Sequence, residues 1–172
     1  NDNFHYDSLT VKGITFTGKW DTDSDEPFFD IRGETSRPFT VLFEDVVFDD
    51  NDGGALDFRD NVFVTIKDAV FNDNNYGSNY GGAINYNNFS SSLAYGTLTV
   101  NNSTFTNNAS YAGGAIYTYK VGVTLNNCIF NSNTAQSSAG AVSSENGSVV
   151  IDSCIITTNT STNGLAGALN FS

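Results

Sequence analysis

The 172 residues predict an all-β chain: a right-handed parallel β-helix, a solenoid of about six coils with three short strands per coil. Three observations predict it. A gap-free repeat is built on one aromatic column, a Gly-Ala motif follows each copy at variable distance, and no segment carries a convincing helical pattern.

Six segments align on the aromatic: LTVKGITFTGK (9–19), VLFEDVVFDDN (41–51), VTIKDAVFNDN (64–74), LTVNNSTFTNN (98–108), VTLNNCIFNSN (123–133) and VVIDSCIITTN (149–159). Their first column reads Leu9, Val41, Val64, Leu98, Val123, Val149, and their third Val11, Phe43, Ile66, Val100, Leu125, Ile151. Alternate apolar residues of this kind make a first strand with one face turned inward. A two-residue polar corner follows, such as Glu44-Asp45 or Asn101-Asn102. The second strand begins with the inward column Ile14, Val46, Ala69, Ser103, Cys128, Cys154 and continues two residues on with Phe16, Phe48, Phe71, Phe105, Phe130, Ile156. The third strand is announced by Gly53-Gly54-Ala55-Leu56, Gly81-Gly82-Ala83-Ile84, Gly113-Gly114-Ala115-Ile116, Ala139-Gly140-Ala141-Val142 and Ala166-Gly167-Ala168-Leu169. Glycine there supplies a turn conformation or a close backbone approach.

Spacings along the aromatic column are 32, 23, 34, 25 and 26 residues, and the variation falls in insertions around 18–28, 75–80 and 85–96. Protruding loops on a rigid stack absorb such differences. At roughly 4.8 Å per coil the stack should form a rod about 29 Å long. Residues 1–172 therefore read as a single domain, with an irregular first coil over 1–40 and regular coils over 41–172. The absence of Met and the Asn1 start suggest a mature product or an excised segment of a longer solenoid or fibre.

Composition excludes several roles. A net charge of −12, with 19 acids against 7 bases, argues against nucleic acid or an anionic membrane as a partner. No apolar run is long enough to span a bilayer as a helix, and no basic-then-apolar leader is present, so membrane insertion of this segment is not expected. Seventeen of the acids lie between Asp2 and Asp73, which gives the two halves different surfaces.

Candidate site residues follow from the columns. Asn51, Asn74, Asn108, Asn133 and Asn159 stand three residues after the aromatic, with Lys19 in the first coil. Stacked amides can each donate to and accept from the next, forming a structural ladder. Phe48, Phe71, Phe105 and Phe130 read as a stacked core column. Cys128 and Cys154 share a column in adjacent coils, so they are stacked thiols or a disulfide. Tyr76, Tyr80, Tyr86, Phe89, Tyr95, Tyr111, Tyr117 and Tyr119 lie in or beside loops and are candidates for an aromatic sugar-binding platform. Asn88 and Asn146 are the loop sequons best placed to carry N-linked glycan. Asp21, Asp23 and Asp25 alternate as calcium loops do, which makes calcium the one cofactor to consider. Glu26 and Arg32 break the EF-hand register, so the competing reading is a solvated acidic loop. Asp49, Asp50 and Asp52 form a second acidic cluster with the same two readings. His5, the only histidine, stands outside the repeat register. The outward column Thr15, Val47, Val70, Thr104, Ile129, Ile155 is apolar enough to be covered by a partner chain.

The pairing of Phe-x-x-Asn with Gly-Gly-Ala-Ile/Leu/Val, as in Phe71 and Asn74 with Gly81 to Ile84, or Phe105 and Asn108 with Gly113 to Ile116, resembles the repeats of chlamydial polymorphic membrane proteins and similar β-helical surface proteins. The resemblance covers 41–172. Ala139, Ala166 and Ile156 depart from it, and the first coil keeps neither motif in full. It implies an autotransported, extracellular passenger that adheres to a host or neighbouring surface protein or glycan. No catalytic constellation stands out, so a non-enzymatic role is expected, with self-association through coil ends or a lateral face as a further role. The alternative is a polysaccharide lyase or hydrolase, for which Asp57, Arg59 and Asp60 are the best local trio.

Overall fold

Local patterning turns this chain into short extended segments. Each inward apolar pair is followed within a few residues by a polar corner that cannot continue the strand, so no strand exceeds six residues. A computed structural model describes residues 7–19, 26–34, 37–89 and 96–172; Asp21, Asp23, Asp25, His5 and Tyr95 lie outside the described residues.

Six coils follow one another. The first holds β1 (Ser8–Lys12), β2 (Thr15–Lys19) and β3 (Phe29–Arg32), the second β4 (Phe39–Glu44), β5 (Val47–Asp52) and β6 (Leu56–Arg59), and the third β7 (Val62–Lys67), β8 (Val70–Asn72) and β9 (Ile84–Asn87). The fourth holds β10 (Thr97–Asn101), β11 (Thr104–Thr106), β12 (Ala109–Ala112) and β13 (Ile116–Tyr119). The fifth holds β14 (Gly122–Asn126), β15 (Ile129–Asn131), β16 (Thr134–Ser137) and β17 (Val142–Glu145), and the sixth β18 (Val149–Asp152), β19 (Ile155–Thr157), β20 (Thr160–Ser161) and β21 (Leu169–Phe171).

Three six-stranded parallel sheets run along the rod: β1-β4-β7-β10-β14-β18, β2-β5-β8-β11-β15-β19 and β3-β6-β9-β13-β17-β21. The chain is a parallel β-helix. Leu9 pairs with Val41, Val41 with Val64, Val64 with Leu98, Leu98 with Val123 and Val123 with Val149, which is the sequence alignment realised as register. In the last three coils a fourth, three-stranded sheet forms from β12, β16 and β20. Sequence reading placed a loop there. In those coils the connection differs by about one residue from coil to coil, and Ser110 and Ala135 point inward, so adjacent backbones can pair instead of protruding.

The corners have a shared backbone solution. Asp45, Asp68, Asn102, Asn127 and Ser153 turn the first corner at φ of 51 to 54°, and Asp50, Asp73, Asn107, Ser132 and Thr158 the second at 51 to 58°. Asp and Asn tolerate this left-handed region best among residues with a side chain, which explains their abundance at corners. The two glycines of the repeat motif do separate jobs. Gly81 and Gly113 take φ of 63 and 64°, whereas Ser138 takes 61° one residue before Ala139, so alanine is accepted at that motif position. At the second glycine the constraint is space. A Cβ on Gly82, Gly114 or Gly140 would stand 2.5, 2.2 or 2.3 Å from the carbonyl oxygen of the equivalent glycine in the next coil.

Inside, Phe16, Phe48, Phe71, Phe105 and Phe130 form one stack with successive centroids 4.9, 5.2, 4.8 and 4.7 Å apart and rings within 19° of parallel. Burying each ring stabilises the fold by roughly 1.5–3 kcal/mol. Beside it runs an amide ladder. Asn74, Asn108 and Asn133 each donate from Nδ2 to the next Oδ1 at 2.9 Å, and Asn51 donates to Asn74 at 2.6 Å. The second Nδ2 proton of Asn74, Asn108, Asn133 and Asn159 goes to the carbonyl of Phe48, Phe71, Phe105 and Phe130, respectively. The Oδ1 of Asn108, Asn133 and Asn159 also takes the backbone N–H of the preceding ladder residue, at 3.1, 3.0 and 2.9 Å for Asn74, Asn108 and Asn133. The ladder opens at Asn51, whose buried Oδ1 has no partner among the described residues.

Candidate functional site

With the interior committed to stacking, chemistry is left to the outer faces, and the third sheet carries the most varied one. In each of its four-residue strands, β3, β6, β9, β13 and β17, two residues point in and two point out. The outward positions read Asp30 and Arg32, Asp57 and Arg59, Asn85 and Asn87, Tyr117 and Tyr119, then Ser143 and Glu145, in register from coil to coil.

The charged end of this face is closed upon itself. Arg32 and Arg59 each reach back two residues to Asp30 and Asp57, at 2.7 and 2.9 Å. Hydrogen bonding from Arg32 holds the Asp30 carboxyl below its usual range, whereas burial pushes that of Asp57 up against the opposing pull of Arg59. Asn85 donates to the second Asp57 oxygen at 3.1 Å and Asn87 donates to Asn85 at 2.9 Å. Of the trio Asp57, Arg59 and Asp60, the structure brings the first two together. Asp60 instead turns the corner at φ 62° and accepts the Phe89 N–H at 3.2 Å. Asp57 is almost completely enclosed, with both oxygens engaged, so it is poorly placed to exchange a proton with a bound sugar.

Next along the face the side chains become aromatic. The Tyr80 ring lies 4.5 Å from that of Tyr117 at 31°, with Tyr111 edge-on to Tyr80 at 5.8 Å. Phe89 lies 6.0 Å from Tyr119, and Lys120 Nζ sits 5.1 Å from the Tyr119 ring centroid. Burial, then the neighbouring Glu145 carboxylate, pushes the Tyr117 hydroxyl well above the ordinary tyrosine value. Together with Asn87 these groups line an open cleft of about 330 Å³. Phe89 is 67% exposed and Tyr80 40% exposed, so the aromatic surface faces solvent.

Several sequence expectations need correction. Tyr86 belongs to the core: it is fully buried, and its hydroxyl accepts the Val62 N–H at 3.0 Å and reaches the Asp60 carbonyl at 2.9 Å. It occupies the inward position two residues after the motif hydrophobe, in register with Phe58 and Thr118, and extending the column alignment by two residues finds it. Tyr76 is likewise buried, against the Cα of Gly54. Asn88 is fully enclosed rather than displayed on a loop, which leaves no room for a glycan on the folded coil. The equivalent corner residues Asp60, Lys120 and Asn146 take φ of 54 to 62°, and Asn88 does not share that conformation. Asn146 is exposed.

Cys128 and Cys154 are free thiols in this structure. Cys154 Sγ accepts the Cys128 N–H at 3.3 Å, as Ser103 Oγ accepts that of Ala69 at 3.1 Å, so the sulfurs continue a polar column. Burial raises the Cys128 thiol to about 11. Asp49 accepts from Asn72 at 2.8 Å, and among the described residues no three His, Cys, Asp or Glu side chains converge as a metal site would require. The outward stripe of Val70, Ile129 and Ile155 is 40, 40 and 55% exposed.

This class of fold and face meets one informative comparison. The chain is 33% identical over 108 residues to the probable autotransporter YfaL of Escherichia coli strain K12, a match covering 61% of this chain and 8% of that protein. The chain thus spans less than a tenth of that relative's length. No family model matches, and no solved structure matches.

Proposed function

We propose that this chain is a non-catalytic segment of an exported surface β-helix, whose coils hold a display face for adhesion to a protein or glycan outside the cell. The observation that carries the reading is the solvent-facing aromatic cleft on the third sheet, set on a rod whose Asn columns are engaged in coil-to-coil ladders. Similarity to an autotransporter supports export and surface display, since a β-helix passenger places its outer faces where a partner can reach them. A rigid stack suits adhesion because its side chains are positioned before the partner arrives. The carboxylate and guanidinium groups best suited to sugar cleavage are paired with one another, which supports a binding role over turnover.

The test is solid-phase binding of the purified chain to cultured epithelial cells and to extracellular-matrix proteins, run beside a polyuronate-degradation assay. Saturable adherence without turnover is the expected result. Polysaccharide cleavage that disappears in Arg59→Ala would overturn the reading and establish the enzymatic alternative.

A further inference from the structure

The cleft has a chemical specification that narrows its ligand. We infer that it binds a neutral pyranose unit of a glycan, an inference that rests on the display reading above and assigns its ligand class.

Three successive coils build the site. Asn87, Tyr119 and Glu145 are register partners on β9, β13 and β17, so an amide and a carboxylate flank a tyrosine, with backbones roughly 10 Å apart across the two strand steps. That order matches a sugar ring, whose C–H faces pack on aromatic surface while its equatorial hydroxyls reach sideways for donors and acceptors. Phe89 and Tyr80 project at the rim and present exposed ring surface. Asn87 offers both a donor and an acceptor, Glu145 accepts, and Lys120 donates, a set suited to hydroxyls. The volume of about 330 Å³ sits at the small end of ligand sites and suits one sugar unit with its chain continuing into solvent.

Charge selects the class. Lys120 and Glu145 bring one charge of each sign to the cleft, so neither an anionic nor a cationic sugar is favoured locally. Beyond Asp73 the only other charged side chain is Asp152, so this half of the chain offers an acidic glycan no further cation. From the second coil to the fifth the inward neighbours repeat as Leu56, Ile84, Ile116 and Val142, whereas the outward positions pass from Asp and Arg to Asn, to Tyr, and then to Ser and Glu.

The experiment titrates the intact chain with cellotetraose, maltotetraose and chitotetraose, and with tetragalacturonate as the acidic comparison, following backbone amide shifts by NMR. The expected result is that at least one neutral oligosaccharide shifts the amides of Asn87, Tyr119 and Glu145. Phe89→Ala and Tyr80→Ala should each weaken that binding about tenfold while leaving the thermal midpoint within about 2 °C of the parent. Tighter binding of tetragalacturonate, shifts confined to another face, or unaltered binding by both variants would overturn the inference. If no neutral sugar binds but the chain still adheres to cells or matrix protein, the pyranose inference fails and the adhesion reading stands. If it adheres to nothing, both fall.

Discussion

Replacing Asn108 by alanine isolates what the amide ladder contributes. The side chain receives the Asn74 backbone N–H at 3.1 Å and the Asn74 Nδ2 at 2.9 Å, and it donates to Asn133 Oδ1 at 2.9 Å and to the Phe71 carbonyl at 3.0 Å. Asn74 Nδ2 keeps its bond to Phe48, and Asn133 Oδ1 keeps the Asn108 N–H, so those two groups remain partnered. The Asn74 N–H and the Phe71 carbonyl lose the partner that the amide supplied, in a region closed to solvent. Each buried group deprived in this way costs about 1–3 kcal/mol, so two of them and a small cavity should total about 3–5 kcal/mol. For a chain of this size that corresponds to a fall in thermal midpoint of roughly 10 °C or more. Asn126→Thr supplies the internal comparison, because the Asn126 amide donates a hydrogen bond to Asn101 Oδ1 at 2.9 Å on the partly exposed outer face. Its loss should stay within about 1 kcal/mol. Thermal melts followed by circular dichroism read both. Equal shifts in the two variants, or an Asn108→Ala midpoint within about 2 °C of the parent, would refute the claim that the buried ladder holds the coils together.

Coil spacing is tested by alanine at two equivalent glycines: Gly114→Ala should destabilise by roughly 3 kcal/mol through overpacking, and Gly167→Ala, whose nearest neighbour would be 3.5 Å away, should be nearly neutral in the same melts. Hydrogen bonds and charge from Lys12 and Lys67 hold Glu44 down to about 2 from its ordinary 4.5. Because the folded value is the lower one, its stabilisation is complete above about pH 4.5 and is lost as pH falls toward 2; carbon-detected NMR titration should find its midpoint there, and a midpoint near 4.5 would refute the pairing. Burial that lifts the Cys128 thiol to about 11 also shields it, so iodoacetamide at pH 8 should label Cys154 well before Cys128 by peptide mass spectrometry. Equal labelling would refute the enclosed column.

Parallel in-register stacking explains why so much of the fold was readable in one sequence. Each coil places its residues directly over those of the last, so Phe71, Phe105 and Phe130 had to recur as a column before they could stack as rings. Local reading failed where the column was not followed far enough. Tyr86 looked like a loop tyrosine because the insertion after Asn87 begins so soon, yet it sits at the inward position shared with Phe58. Asn88 carried a sequon and a loop composition, but nothing in its neighbours signals that the corner turns inward there. The fourth sheet has little sequence signal because Ala109-Ser110 and Thr134-Ala135 match at neither register position and share only an inward small side chain. The cleft itself was legible as a set of aromatics and not as a site. Tyr80 and Tyr117 are 37 residues apart, and only the coil stacking brings their rings to 4.5 Å.

The same stacking rule separates fold from function along this rod. A column that repeats its residue class satisfies the coil above and the coil below, and the Asn ladder, the Phe stack and the inward Leu56, Ile84, Ile116, Val142 column all do so. A column that changes class from step to step forgoes like-on-like stacking, so each of its side chains is explained by its own neighbours. On the outer third sheet the sequence passes from paired Asp57 and Arg59, through Asn85 and Asn87, to Tyr117 and Tyr119 and then Glu145, within four coils. Like-on-like stacking would be served as well by a run of Asn or Thr, both of which the chain uses freely on its other faces. Tyr117 is itself covered by Tyr80, and the rings exposed beside that step, Tyr80 and Phe89, present surface that water solvates poorly. The proposed pyranose would cover those rings, which confines the proposed contact to the third to fifth coils rather than the whole rod.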